Sequence, residues 1–238
     1  MLGIDKNIEV IEGLLAQDTP SSITYAALEC RFTIEQICYQ RLSLAHDYIS
    51  HDDIKKWQPK DVVKTLLKEV DRNVATGLTI SIGEKSSDYY KEHPTEEIEY
   101  VDVGTQVGFN ANKMGELWNA LSNLALHIPV PKNKEDSISR YSDSEKTKKK
   151  IHECLIEFRR LSETTLIVSG HAGADISFDC MGCDSLNKRK DKFLDDGQIV
   201  NCINPACDES YFVRKNDENV NFERSKACLL YTSPSPRD

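Results

Sequence analysis

The chain of 238 residues, 39% of them hydrophobic, is long enough for one or two domains with cores of their own. Its formal net charge of −9 excludes whole-molecule attraction to nucleic acid and confines any such contact to local basic patches. No apolar run nears the roughly 20 residues that span a bilayer and no signal-peptide h-region follows Met1, so a cytoplasmic chain without membrane contact is expected.

Asp5 to Gln17 places Ile8, Ile11, Leu14 and Leu15 at helical spacing before an Asp-Thr-Pro-Ser break. Thr19 as cap and Pro20 at the first position open the strongest helix, with Ile23, Ala27, Cys30, Ile34, Ile37 or Cys38, and Ala45 on one stripe. Trp57-Gln58-Pro59 separates it from a helix over Lys60 to Asp71, whose Val62, Val63, Leu66, Leu67 and Val70 form a broad apolar face. Gly77 to Gly83 and Glu97 to Val103 alternate apolar and polar residues and predict a hairpin, joined by a polar, mobile connection over Ser86 to Glu97.

After Asn110 a helix resumes through Met114, Leu117, Trp118, Leu121, Leu124 and Ala125, stops at Pro129, and gives way to a polar linker over Lys132 to Ser144. The next helix, about Ser144 to Ser162, gathers Ile151, Cys154, Leu155, Phe158 and Leu161, with the run Lys146 to Lys150 as a solvated outer face first and a phosphate contact second. Thr164 to Val168 reads as a strand, and Gly170-His171-Ala172-Gly173 as a flexible joint. Cys30, Cys38 and Cys154 fall within helical patterns as small buried apolar residues of a reducing compartment rather than disulfide partners.

The remaining cysteines carry the strongest signal. Cys180-Met-Gly-Cys183 and Cys202-Ile-Asn-Pro-Ala-Cys207 are two knuckles separated by eighteen residues. Turns tightened by Gly182 and Pro205 can aim each pair at one point, and two pairs complete a tetrahedron. Two disulfides, four unrelated thiols or an iron–sulfur cluster are the alternatives; thiolate softness and the cytosolic composition favour one structural Zn2+ per chain held by Cys180, Cys183, Cys202 and Cys207. Four filled positions leave none for substrate, and a segment so poor in large apolar residues is expected to fold only with its metal. Ile176 to Asp179, Gln198 to Val200 and Tyr211 to Val213 are the strand-like flanks.

Between the knuckles lie Lys188, Arg189, Lys190 and Lys192, with Arg214 and Lys215 beyond the last strand. As a solvated turn they need no partner; as a basic tip they meet phosphates of RNA or DNA, with Phe193, Tyr211 or Phe212 to stack on bases. Asp191, Asp195 and Asp196 dilute that field.

On the run Ala26 to Leu42, Trp57-Gln-Pro59, Asn119-Ala-Leu-Ser-Asn-Leu-Ala-Leu-His127 and the C-terminal ribbon, the chain resembles a divergent HEPN-type helical protein of the uncharacterised bacterial kind. The resemblance implies a helical domain that dimerises or holds a partner in bacterial defence or regulation. It also implies, as the competing activity, a metal-independent ribonuclease with an Arg-x4-6-His site. Asn123 and His127 match the polar residue and the histidine, but Ser122 stands at the arginine position and cannot stabilise developing phosphate charge as a guanidinium does. Arg41 and His46 fit the spacing, yet five residues along a helix set them roughly 140° apart at about 100° per residue. Arg31 and Glu35 read as an intrahelical ion pair. A phosphate loop, a nucleophile elbow and a His-Glu-x-x-His motif are absent, and Gly104-Thr-Gln-Val-Gly108 lacks the dinucleotide glycine spacing.

The expected fold class is α+β. A helical domain covers 1–168 with a β insertion near 77–103; 169–175 is a linker and 176–216 the zinc ribbon. The expected role is nucleic-acid or protein binding rather than catalysis, with a purely structural ribbon as the third possibility. Cys228 to Asp238 resembles a translated sequencing-library adapter, so the biological chain is expected to run to about Ala227.

Overall fold

Thr19 sets the longest helix of the molecule. Its hydroxyl accepts the Ser22 N–H at 3.1 Å while the Ser22 hydroxyl oxygen accepts the Thr19 N–H at 3.1 Å, a reciprocal cap with Pro20 at the first helical position. In the computed structural model, residues 2–45, 47–50, 58–128, 131, 133, 134, 138, 141, 143–168, 174–216 and 219–225 are described. His46, Trp57, Pro129, the joint at 170–173 and the segment 228–238 lie outside them.

Helix α1 spans Asp5–Ala16 and α2 spans Pro20–Leu44. Asp18, at φ 49°, takes the left-handed backbone that reverses the chain between them. Helices α3 (Pro59–Glu69), α5 (Ala111–Ala125) and α6 (Ser144–Ser162) pack around α2, and α1 closes against α2 and α6. The stripe predicted for α2 is the centre of this core: Ile23, Ala27, Cys30, Ile34, Ile37 and Cys38 are each at most 3% exposed. Val62, Val63 and Leu66 meet it from α3, Met114 and Leu121 from α5, and Ile151, Leu155 and Phe158 from α6. Cys30, Cys38 and Cys154 are buried free thiols, as their pattern predicts.

One charged residue breaks this buried stripe. Arg41 is fully buried on α2, and its three guanidinium nitrogens find no hydrogen-bond acceptor among the described residues. The ring of Phe109, 5.9 Å from its Cζ, is its aromatic neighbour. Burial pushes the Arg41 guanidinium down to about 10, which leaves it charged at neutral pH.

Strand β1 (Leu78–Gly83) pairs antiparallel with β2 (Tyr100–Gln106), confirming the hairpin, but β2 begins and ends about three residues later than its alternation suggested. Its end is held by buried Gln106, whose amide donates to the carbonyls of Asn73 and Thr76. Within the connection, Ser86 caps a short helix, α4 (Ser87–Glu92), and Lys85, Tyr89 and Glu96 form a polar cluster over it. Residues 164–168 are not a strand. The Thr165 and Leu166 N–H groups both donate to the Thr105 carbonyl, and Val168 N–H donates to the Gln106 side chain, so one shared carbonyl and a side chain stand in for a ladder.

The C-terminal part forms two small sheets. Strand β3 (Asp175–Asp179) pairs with β4 (Leu186–Lys190), and β5 (Ile199–Asn201), β6 (Ser210–Lys215) and β7 (Val220–Arg224) follow in order. Both β4 and β7 were missed in sequence, and β7 carries the ribbon past the expected boundary at 216 to Arg224. Together the helices and sheets make the expected α+β fold. Among the described residues no helix is long and apolar enough to cross a membrane.

Candidate metal centre

The first knuckle leaves β3 at Cys180. Asp184 N–H donates to the Cys180 carbonyl at 2.8 Å, Cys180 N–H donates to Ser185 O at 3.0 Å, and Asp184 adopts φ 56°, which closes the turn. The second knuckle hangs between β5 and β6, where Cys202 N–H donates to Glu209 O and Cys207 N–H donates to Asn204 O. Gly182 gives the close approach its turn requires: a Cβ there would stand 2.6 Å from Glu209 Cγ, whose carboxylate is paired with Arg224.

The knuckles bring together all four predicted ligands. Cys180 Sγ lies 3.7 Å from Cys207 Sγ and Cys183 Sγ lies 3.6 Å from Cys202 Sγ, with all four sulfurs within 4.8 Å of one another. A tetrahedron with metal–sulfur bonds of about 2.3 Å has sulfur–sulfur edges of about 3.8 Å, so this spacing fits a metal ion and is far from the bonded separation of about 2.05 Å in a disulfide. Cys180 and Cys202 are buried, Cys183 and Cys207 half-buried.

The surroundings prepare sulfur for negative charge. Burial pushes the Cys180 thiol up, but hydrogen bonds from the Tyr211 hydroxyl and the Gly182 and Cys183 N–H groups pull it below its ordinary range. The Ser185 side chain and N–H draw Cys183 down to about 6. Burial and neighbouring sulfurs push Cys202 up to about 12. Two sulfurs are thus held towards thiolate and the crowding resists a third and fourth unless a cation joins them.

Asn187 braces the two knuckles. Fully buried, it donates to Ser185 O at 2.8 Å and accepts the Ile203 N–H at 2.9 Å, joining the first knuckle to the second. In the sequence, the sole signal for Asn187 is its position four residues after Cys183. Tyr211, also fully buried, accepts the Met181 N–H at 2.8 Å and stands 3.2 Å from Cys180 Sγ.

The expected basic tip is largely folded away, because residues 186–190 form β4 instead of a loop. Arg189, 5% exposed, donates to Asn201 O and Lys188 O. Lys190, 2% exposed, pairs with Asp175 at 2.5 Å beneath the ring of Tyr48, 4.5 Å away, and the Tyr48 hydroxyl donates to the same carboxylate. Arg214 pairs with Glu223, and Lys215 with Asp191. Lys188 stays half-buried and Lys192 exposed.

The nuclease candidates are not gathered into one place. Asn123 and His127 are exposed at the end of α5, and Ser122 turns its hydroxyl to Trp118 O at 2.7 Å. His127 shares a cleft of about 210 Å³ with Ser21, Thr24, Tyr25 and Tyr141, at the start of α2. Arg41 lies further along that helix, about 24 Å from Tyr25 at roughly 1.5 Å per residue, and is sealed in the core. His46 falls outside the described residues. Arg31 does pair with Glu35 at 3.3 Å, and lies over the Trp118 ring.

Comparison with protein-family models, with curated proteins and with solved structures finds no match for this chain.

Proposed function

We propose that the chain is a zinc-dependent binding protein, in which one Zn2+ folds the C-terminal ribbon and the ribbon contacts nucleic acid, RNA foremost. The observation that carries this is the closed four-sulfur cage. Cys180, Cys183, Cys202 and Cys207 supply every position of a tetrahedral ion, which suits a structural metal and leaves no site for a hydrolytic water. When bound, the ion supplies the charge that neutralises crowded thiolates. The chain's own residues then fix the knuckles through Asn187 and Tyr211 and display the cations that remain outward.

Those cations are few, which is consistent with weak, local attraction in an acidic chain. Lys188 and Lys192 make no ion pair among the described residues. The test is binding of a fluorescein-labelled single-stranded RNA by anisotropy, with zinc-loaded full-length protein across a salt series. The reading expects affinity that falls with salt and disappears after chelation. Salt-independent binding, or none, would leave the ribbon as a site for protein contacts.

A further inference from the structure

Where the ribbon meets the helical part, a cleft of about 760 Å³ opens between the end of α3 and the segment linking β4 to β5. Lys68, Glu69 and Arg72 line one side; Lys192, Phe193 and Asp195 line the other. Phe193 is half-buried and has two cations near its ring: Arg72 Cζ lies 5.9 Å from its ring centre and Lys192 Nζ lies 4.9 Å away. Glu69 lies 3.8 Å from Lys68. Arg72 and Lys192 pair with no carboxylate among the described residues, unlike Lys190, Arg214 and Lys215 nearby.

An aromatic ring with two cations near it, neither paired with a carboxylate among the described residues, fits a ligand that alternates flat rings with anions. A flat base can lie against Phe193 or the outer face of the Arg72 guanidinium, while flanking phosphates meet Arg72 and Lys192. An acidic peptide would use the cations but leave the ring idle. The volume falls within the roughly 300–1,000 Å³ typical of small-ligand clefts, room for a nucleotide unit with its neighbours running out along the open ends.

We infer that this cleft binds a nucleotide unit of a single-stranded nucleic acid, with its base against Phe193 and its phosphates on Arg72 and Lys192. The inference rests on the nucleic-acid reading proposed above and places that contact at the joint with α3 instead of the ribbon's far end. Arg72 belongs to the helical part and Phe193 to the ribbon, so the cleft exists only while the ribbon is folded and docked. The Lys190, Asp175 and Tyr48 contact holds that docking, and metal loading is thereby linked to strand binding.

The experiment uses zinc-loaded full-length protein and labelled single-stranded oligouridylate and oligothymidylate, with uridine monophosphate as competitor. Arg72→Gln, at an exposed position, is the variant that leaves the fold intact, and its zinc content verifies this. It is expected to weaken strand binding about 5- to 10-fold and to lower the salt slope by about one. Phe193→Leu is expected to weaken binding by about 5-fold or more, the range of one lost stack. Lys149→Gln, exposed on α6, should change it less than about 2-fold. Strand binding that needs zinc yet is unmoved by Arg72→Gln and Phe193→Leu overturns the cleft and leaves the ribbon reading standing. No strand binding by the parent protein overturns both. Uridine monophosphate matching the strand's affinity overturns the strand in favour of a mononucleotide site.

Discussion

The Tyr211 hydroxyl stands 3.2 Å from Cys180 Sγ, so the residue at the centre of the ribbon's apolar core also touches its metal cage. Phe178 packs edge-on against that ring at 4.9 Å and stacks on Phe222 at 4.0 Å, which fixes the hydroxyl's position. Tyr211→Phe keeps this packing and removes one hydrogen bond to sulfur and one acceptor for Met181 N–H. Metal affinity is expected to fall by about 10- to 100-fold, measured by competition with a chromogenic chelator.

Asn187 offers a second probe of the same cage. Asn187→Ala leaves the buried Ile203 N–H and Ser185 O without their partner and severs the brace between knuckles. A loss of about 1–3 kcal/mol is expected in the metal-loaded ribbon, read as a lower thermal midpoint, while the helical part melts unchanged.

Ribbon docking has a pH signature. The Lys190 ammonium holds the Asp175 carboxyl below the usual carboxylate range. A carboxyl whose folded value lies below its unfolded value contributes stability at pH above the unfolded value, and that contribution is lost as pH falls through the folded one. Asp175→Asn removes it at every pH and takes the Asp175 charge from buried Lys190, at a cost of about 1–3 kcal/mol at pH 7 because Asp175 itself keeps contact with water. The difference in midpoint between parent and variant should shrink as pH drops below about 4.

Arg41 is expected to be a burden on the fold. Its charge is buried among apolar side chains with no acceptor among the described residues, a cost present wherever the guanidinium is protonated and relieved as pH rises through its folded value of about 10. Arg41→Met, of similar length and without charge, should be neutral or raise stability by up to about 3 kcal/mol at pH 7, seen as a higher urea midpoint at unchanged slope. A large loss instead would mean that the guanidinium is required where it sits.

The helices were legible because their cores follow a single period: the stripe from Ile23 to Cys38 and the pattern from Ile151 to Leu161 needed no tertiary information. The four cysteines were legible because knuckle spacing is local chemistry. Strand β4 was not, since Leu186-Asn-Lys-Arg-Lys190 has no apolar alternation, and its buried residues are polar on both faces: Asn187 serves a knuckle and Arg189 a carbonyl on one, Lys190 an aspartate on the other. Lys190 looked solvated because its partner Tyr48 lies in a distant part of the chain that only docking brings near. Conversely, Thr164 to Val168 looked like a strand from its β-branched residues, but Thr105 and Gln106 meet it with one carbonyl and a side chain. The contribution of Arg72 to the cleft carried no local signal at all.

Zinc content of freshly purified, reduced protein by native mass spectrometry, set beside Cys202→Ser, tests the central claim most directly. The account predicts one zinc ion per chain, lost in the variant together with the β-sheet signals of the ribbon and leaving the helical content in place. A metal-free parent protein with an intact ribbon, or a Cys202→Ser variant that keeps both metal and fold, would contradict it.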